Sequence, residues 1–434
     1  MRVQKLLLGA GLLLAAASPA LARDVVIHAG TLIDGVSPTP RQRMSILIKD
    51  DRITSVSPGF VAPIGAEVID LTDGTVMPGF IDAHVHIAAK LPSSTNMVED
   101  WLTHSDIDRA FDGAKFGAAM LQQGFTAARD VGGGPDTVAL RNAINSGKVA
   151  GPRLWVSLEA LGPTAGHGDA RYGLDPQLSH AGWDNSIVDS PDQARAKVRE
   201  HKRRGADLIK IMPSGGIASS GDDPRQKLME DDEIIAVVTT AHSLGMKVAA
   251  HAYPSTAIDA AVRATVDSIE HGSFATAESL ALMKANGTFL VPTLTVYDMF
   301  YKVARDTPQL LRPGTAAKEM ANDLIPKQNF PKALKSGVRI VYGTDLGEGD
   351  HSTEFRLFAE GGMPPMDAIL SATRNAADLL GVSADIGSVQ PGRYADLVSV
   401  KGNPLQSPAL LGQIDFVMKG GIVLRQNGTA TGRQ

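Results

Sequence analysis

Both ends of the chain carry short segments in which apolar and polar residues tend to alternate, whereas the middle follows a longer period. Between Val25 and Val76, segments such as Asp24–Ala29, Met44–Lys49 and Arg52–Val56 read as strands with one buried face. Asp50-Asp51 and Asp73-Gly74 fall beside such segments and favour antiparallel hairpins. Tyr394–Val400 and Phe416–Leu424 have the same texture, the second broken by Gly420-Gly421. The two ends are therefore expected to pair into one small β domain.

In the middle, short apolar runs alternate with amphipathic stretches such as Pro191–Glu200 and Glu233–His242. That alternation predicts βα units and a parallel sheet. Candidate strands end near His86, Asp130, Leu161, Lys210, His251, His271, Leu294 and Asp345. Eight units predict an α/β fold, a TIM-type (β/α)8 barrel with its active site at the C-terminal strand ends. A small β-sandwich formed by both chain ends would accompany it. A doubly wound open sheet is the alternative; it usually carries a glycine-rich phosphate loop after its first strand, and Gly79–His86 does not match one. The expected boundaries are 23–78 and 383–434 for the two parts of the sandwich and 79–382 for the barrel. The stretches 163–185 and 213–226, rich in Gly and Asp, are expected to be substrate loops. The connection 297–329 is long enough to wall a pocket or to form a subunit contact.

Residues 1–22 read as a signal peptide. Arg2 and Lys5 precede the apolar run Leu6–Ala17, and Ala20-Leu21-Ala22 forms a small-x-small cleavage site. The run is short for a membrane span, so cleavage after Ala22 is expected, with an uncleaved anchor as the alternative. A periplasmic or secreted protein with no membrane attachment after cleavage follows. The chain has no cysteine, which excludes disulfides, thiol nucleophiles, thiolate metal sites and lipid attachment through cysteine. Any metal would be held by nitrogen and oxygen, which suits zinc, manganese or iron. A net charge of -5 gives no reason to expect nucleic acid as a partner. The basic run His201–Arg204 reads as a solvated helix face.

His84 and His86 stand two apart at the end of an apolar strand, so both imidazoles face one way, as a metal with nitrogen ligands requires. His251, His271 and Asp345 close apolar runs in later units. One such residue is more often structural than functional; five sharing this context point to a common site. Lys210 lies inside the apolar segment Leu208–Met212. A buried ammonium costs several kcal/mol unless it is paired, and a cation there opposes metal binding. Addition of CO2 to the neutral amine gives an anionic carbamate able to bridge two metals. The alternative is an ion pair with Asp345 or Glu270.

With these residues in view, the chain resembles the amidohydrolase superfamily over nearly all of the mature sequence. It is most similar to the branch of imidazolonepropionase-like proteins, Xaa-Pro dipeptidases and secreted ochratoxin-hydrolysing amidohydrolases. The resemblance rests on Val76–His86 (VMPGFIDAHVH), Gly205–Met212 (GADLIKIM), His251-Ala252, Ser268–Gly272 (SIEHG), Gly343–Asp345 (GTD) and Gly392–Val398 (GRYADLV). It implies two divalent metal ions, zinc being the expected pair. His84, His86 and Asp345 would hold the more buried one and His251 and His271 the other, with carboxylated Lys210 bridging. A metal-bridging hydroxide would attack, and Asp345 would move its proton to the leaving nitrogen. Where many relatives have a histidine and a glycine after the fifth-strand histidine, this chain reads Ala252–Thr256 (AYPST), so substrate contacts are not carried over there.

His167, flanked by Gly166 and Gly168, is a candidate catalytic and substrate-binding residue, with a solvated loop histidine as the alternative. Tyr253 and Tyr297 are candidate phenol donors to substrate, or wall packing. Asp130 reads as structural, bonded to loop amides. The expected reaction is hydrolysis of an amide next to a free carboxylate, in a dipeptide, an N-acyl amino acid or ochratoxin A. The rivals are a cyclic amide, lactone or deamination substrate, and a non-catalytic scaffold. The resemblance also implies a homo-oligomer.

Overall fold

Strands from the two chain ends lie side by side: Leu397–Lys401 runs antiparallel to Glu67–Pro78, with Val398 opposite Met77. The computed structural model describes residues 24–432 apart from 173, 176, 179 and 181, so the expected signal peptide, residues 1–22, lies outside the described residues. Eight strands form one sheet in the order Thr429–Ala430, Ile422–Gln426, Phe416–Lys419, Leu397–Lys401, Glu67–Pro78, Val25–Leu32, Arg41–Lys49 and Arg52–Pro58. Ile27, Ile46, Leu71, Leu397 and Phe416 share one apolar core, so the ends depend on each other for burial.

The Asp50-Asp51 hairpin forms as expected, with Asp50 at φ 56. Asp73-Gly74 does not turn. It lies inside Glu67–Pro78, which pairs in parallel with Val25–Leu32 across a register shift between Ala29 and Thr31. The glycine serves close approach: a Cβ on Gly74 would collide with the Val400 carbonyl oxygen.

The middle of the chain holds two parallel sheets. Phe80–Val85, Phe125–Asp130 and Arg153–Val156 form one; Leu208–Ile211, Lys247–Pro254, Ser268–Phe274 and Phe289–Val291 form the other. Single parallel bridges connect Leu161 to Ile211, Leu290 to Ile340 and Val85 to Leu346. Two expected strands are interrupted. The third is regular only to Val156, because Leu158 turns to φ 62 before the chain reaches Leu161. The eighth has no regular strand, yet Val341 N donates to Leu290 O at 2.9 Å, Ala83 N to Tyr342 O at 2.9 Å and Asp345 N to His84 O at 2.7 Å. Asp345 itself stands at φ 62, which breaks the ladder where its side chain leaves it.

Helices connect the parallel strands. In Pro191–Arg204, Ser190 caps the first turn through Gln193 N, and Gly205 at φ 100 ends the helix. The basic run in its last turn is not uniformly solvated. His201 is buried between the Lys197 and Glu159 carbonyls, and Arg204 binds Glu159 through two nitrogens at 2.8 and 2.6 Å. The long connection after Phe289–Val291 folds into the helices Leu294–Asp306, Thr315–Asn322 and Leu324–Ser336. Among the described residues no helix is long and apolar enough to cross a membrane.

Candidate metal centre

A cavity of about 440 Å³ opens where the parallel strands end. His84, His86, Lys210, His251, His271 and Asp345 all line it, and so do His167, Tyr253 and Tyr297. Residues from seven separate segments therefore converge. The local backbone contributes: His271 at φ 70, inside Ser268–Phe274, and Asp345 at φ 62 both leave the extended conformation.

Asp345 sits between two imidazoles, its Oδ1 3.2 Å from His84 Nε2 and 3.1 Å from His86 Nε2. Ligand atoms of His84, His271 and Asp345 lie within 4.8 Å of one another. His86 and His251 flank this group, with ring centroids 5.7 Å from His84 and 4.7 Å from His271 respectively.

The outer nitrogens fix the tautomers. His84 Nδ1 donates to Glu270 Oε2 at 2.7 Å, and His86 Nδ1 donates to Gly132 O at 2.7 Å. Both acceptors lack protons, so each Nδ1 carries the hydrogen, and the neutral form of each ring turns an Nε2 lone pair toward the cavity. His251 reverses the pattern, donating from Nε2 to Gly215 O at 3.1 Å and leaving Nδ1 as the electron-pair donor. His84 Nε2 is buried and has no hydrogen-bond partner among the described residues. An orphaned nitrogen beside an anionic oxygen, in an all-nitrogen-and-oxygen donor set, fits a divalent cation.

The charges agree with that fit. Burial works against ionisation of Asp345, but the His84 and His86 imidazoles hold its carboxyl well below the usual range. Burial and then neighbouring imidazoles keep His251 neutral, and burial does the same for His271. Lys210 is 1% exposed, and burial pulls its amine down to about 8. Its alternative pairing is absent among the described residues. Glu270 instead bonds His84 and Arg129, and Asp345 lies against the two histidines.

His167 stacks on His251 at 4.5 Å, and its Nδ1 meets Ser219 Oγ at 2.8 Å and Asp222 Oδ2 at 3.2 Å. Tyr253 stacks on His271 at 5.1 Å. The Tyr297 hydroxyl lies 2.6 Å from Ser273 Oγ. Burial raises both phenols above their ordinary range, so they remain neutral hydrogen-bonding groups. Asp130 accepts from Ile87 N at 2.7 Å and Gly132 N at 3.3 Å, in keeping with a structural carboxylate.

Several residues of the site have no separate signature in the sequence. Asp82 shares a strand with His84, accepts from His84 N at 3.2 Å and lies 2.8 Å from His351 Nδ1. Its position two residues before His84 was the available signal. Arg312 lines the cavity wall, its guanidinium 5.4 Å above the Trp101 ring and free of ion pairs among the described residues. Glu319 lines the same wall.

Residues 75–424 match the model of the Amidohydrolase family. The chain is 32% identical to an ochratoxinase of Aspergillus niger over 433 residues, covering 94% of this chain and 88% of that one. A solved Xaa-Pro dipeptidase with methionine bound in its active site superposes with a TM-score of 0.88 at 34% identity, covering 93% of this chain and 100% of the other. A prolidase complexed with N-methylphosphonate-L-proline gives 0.86 at 33% identity, with the same coverage of 93% and 100%.

Proposed function

Because the chain belongs to the amidohydrolase family, we propose that this hydrolase cleaves an amide bond next to a free carboxylate, in a dipeptide, an N-acyl amino acid or ochratoxin A. The observation that carries the reading is a wall-mounted, unpaired Arg312 facing the same cavity as four imidazoles, Lys210 and Asp345. A planar guanidinium suits a carboxylate through two parallel hydrogen bonds. The dipeptidase, prolidase and ochratoxinase relatives support the same substrate class.

His84, His86 and Asp345 would hold one divalent cation and His251 and His271 a second, with Lys210 shared between them as its N-carboxylate; zinc is the metal this donor set suits best. When bound, the pair supplies Lewis acidity and lowers the pKa of water to about 7. Asp345 accepts the proton of the attacking water at a carboxylate oxygen and delivers it to the leaving amide nitrogen. His167, held through Nδ1 by Ser219 and Asp222, presents Nε2 to the scissile carbonyl or to the substrate carboxylate. Tyr253 and Tyr297 bound the substrate and offer phenol hydrogen bonds.

The parallel strands and three bridges support a closed (β/α)8 barrel over 79–382. The eight-stranded sheet over its own core supports a sandwich from 23–78 and 383–434. Export to the periplasm or medium, by way of residues 1–22, and assembly as a homo-oligomer complete the proposal.

The test is a substrate panel. Protein reconstituted with zinc or manganese in bicarbonate buffer is assayed on dipeptides, N-acyl amino acids, ochratoxin A, a cyclic amide and a lactone, with products identified by mass spectrometry. Release of a free amino acid, with a KM that rises on Arg312→Ala only for carboxylate-bearing substrates, supports the reading. Ammonia without an amino acid product, or turnover of cyclic substrates alone, overturns it.

A further inference from the structure

Glu319 lies on the helix Thr315–Asn322, in the long connection that walls the cavity. It is 1% exposed, and neither carboxyl oxygen has a hydrogen-bond partner among the described residues. A carboxyl group withdrawn from water with two bare oxygens is destabilising, and buried carboxyls are ordinarily paired. The neighbouring cations do not meet it: Lys327, whose charge acts on Glu319, ion-pairs instead with Asp298 at 3.4 Å. Lys318 is bound to Asp222 Oδ1 at 3.0 Å and to the Gly216 carbonyl at 2.7 Å, and the unpaired Arg312 lies over Trp101 and makes no ion pair with Glu319 among the described residues. Tyr253 and Tyr297, on the same cavity surface, bring no positive charge. Burial pushes the Glu319 carboxyl up to about 8, so it is largely protonated near neutrality until a cation meets it.

We propose that Glu319 determines specificity in this cavity by pairing with a cationic nitrogen of the substrate. The inference rests on the amide-hydrolase reading of the same cavity and adds to it an acidic group beside the cationic Arg312 on the lining. Two sources share the chemistry: a basic side chain on the released amino acid, or the free α-amine of a dipeptide. Either places N–H donors on oxygens that otherwise have none, and the carboxyl gives up its proton on binding.

Three matched substrates separate the sources: propionyl-norleucine has no cation, propionyl-lysine has a side-chain ammonium, and alanyl-norleucine has an α-ammonium. The native enzyme is expected to favour one cationic member over propionyl-norleucine by about ten- to a hundredfold in kcat/KM, the range for a hydrogen bond to a charged group. Glu319→Gln should bring that ratio close to one, and Glu319→Asp should keep part of it. Each ratio is taken within one preparation, so incomplete folding of a variant does not distort it. A native ratio near one for both cations, or an unchanged ratio in Glu319→Gln, overturns the proposal. Calorimetric titration with L-lysine, L-norleucine and hexanoate repeats the comparison without turnover. If no member of the panel is hydrolysed yet a cation-dependent gain in affinity vanishes in Glu319→Gln, the substrate reading falls and the role of Glu319 stands. If no such gain exists in either arm, the role of Glu319 falls.

Discussion

Glu270 ties His84 to Arg129: one carboxylate oxygen accepts from His84 Nδ1 at 2.7 Å and the other from Arg129 at 2.8 Å. Burial opposes the charge, but Arg129 and His84 hold the carboxyl far below its usual range. The pair keeps the His84 lone pair on Nε2, toward Asp345. Glu270→Gln removes the charge while keeping the shape, so metal affinity should fall about 10–100-fold, the cost of losing a partner behind a ligating histidine. Chelator competition followed by elemental analysis measures it; unchanged affinity would mean that the tautomer is fixed without Glu270.

Lys210 is the group whose chemical state matters most. No ion pair holds its ammonium among the described residues, and burial brings its amine to about 8. A fraction of the neutral amine is therefore present near neutrality to add CO2, releasing one proton. Lys210→Ala should abolish turnover and remove at least one metal per chain, and reconstitution of the native protein should quicken with added bicarbonate. Retained turnover in Lys210→Ala would refute the shared carbamate.

Asp345 lies against both His84 and His86 and is held ionised despite its burial. Its proposed proton transfer acts on the transition state more than on bound substrate. Asp345→Asn should then lower kcat by at least about a hundredfold, the size expected for a lost general acid–base, with little change in KM. A rise in KM alone, in steady-state assays of metal-loaded protein, contradicts the role.

His167 meets the metal-centre residues by stacking on His251. His167→Ala should impair turnover while metal content stays at the native level; loss of metal would place it among the ligands. Asp222 bonds His167 and Lys318 together. Asp222→Asn should reproduce part of the His167→Ala effect, because the ring loses its anchor but keeps its nitrogen.

The metal-site residues could be read from sequence because each closes or interrupts an apolar run: His84 after Ala83, His251 after Ala250, Lys210 between Ile209 and Ile211. A polar side chain in such a setting is unusual without a function. Arg312, Glu319 and Asp222 carry no such mark. They lie in connections where charged residues are common, and only tertiary packing shows that two of them meet no ion partner among the described residues. The strands were legible to within a few residues except where the backbone turns left-handed, at Leu158 and Asp345, since hydropathy does not record φ. Asp73-Gly74 misled because the glycine is needed for the approach of Val400, a contact over three hundred residues away in the chain.

Glu159 shows how far local charge patterning misses tertiary pairing. It binds Arg204 through both oxygens and lies beside the buried His201, so the basic run is anchored to the turn after the third strand. Burial works against the Glu159 carboxylate, yet Arg204 keeps its folded-state pKa below the ordinary 4.5. A depressed carboxyl binds fewer protons in the folded state than in the unfolded one. Its stabilisation is thus fully present above about pH 4.5 and is lost as pH falls through the folded value. Glu159→Gln should cost about 1–2 kcal/mol at pH 7, the scale of a charge-assisted hydrogen bond with part of it retained by the amide. The difference between native and variant, measured by urea unfolding from pH 7 to pH 3, should shrink on acidification. A gap of constant size over that range would show that Glu159 acts through packing alone.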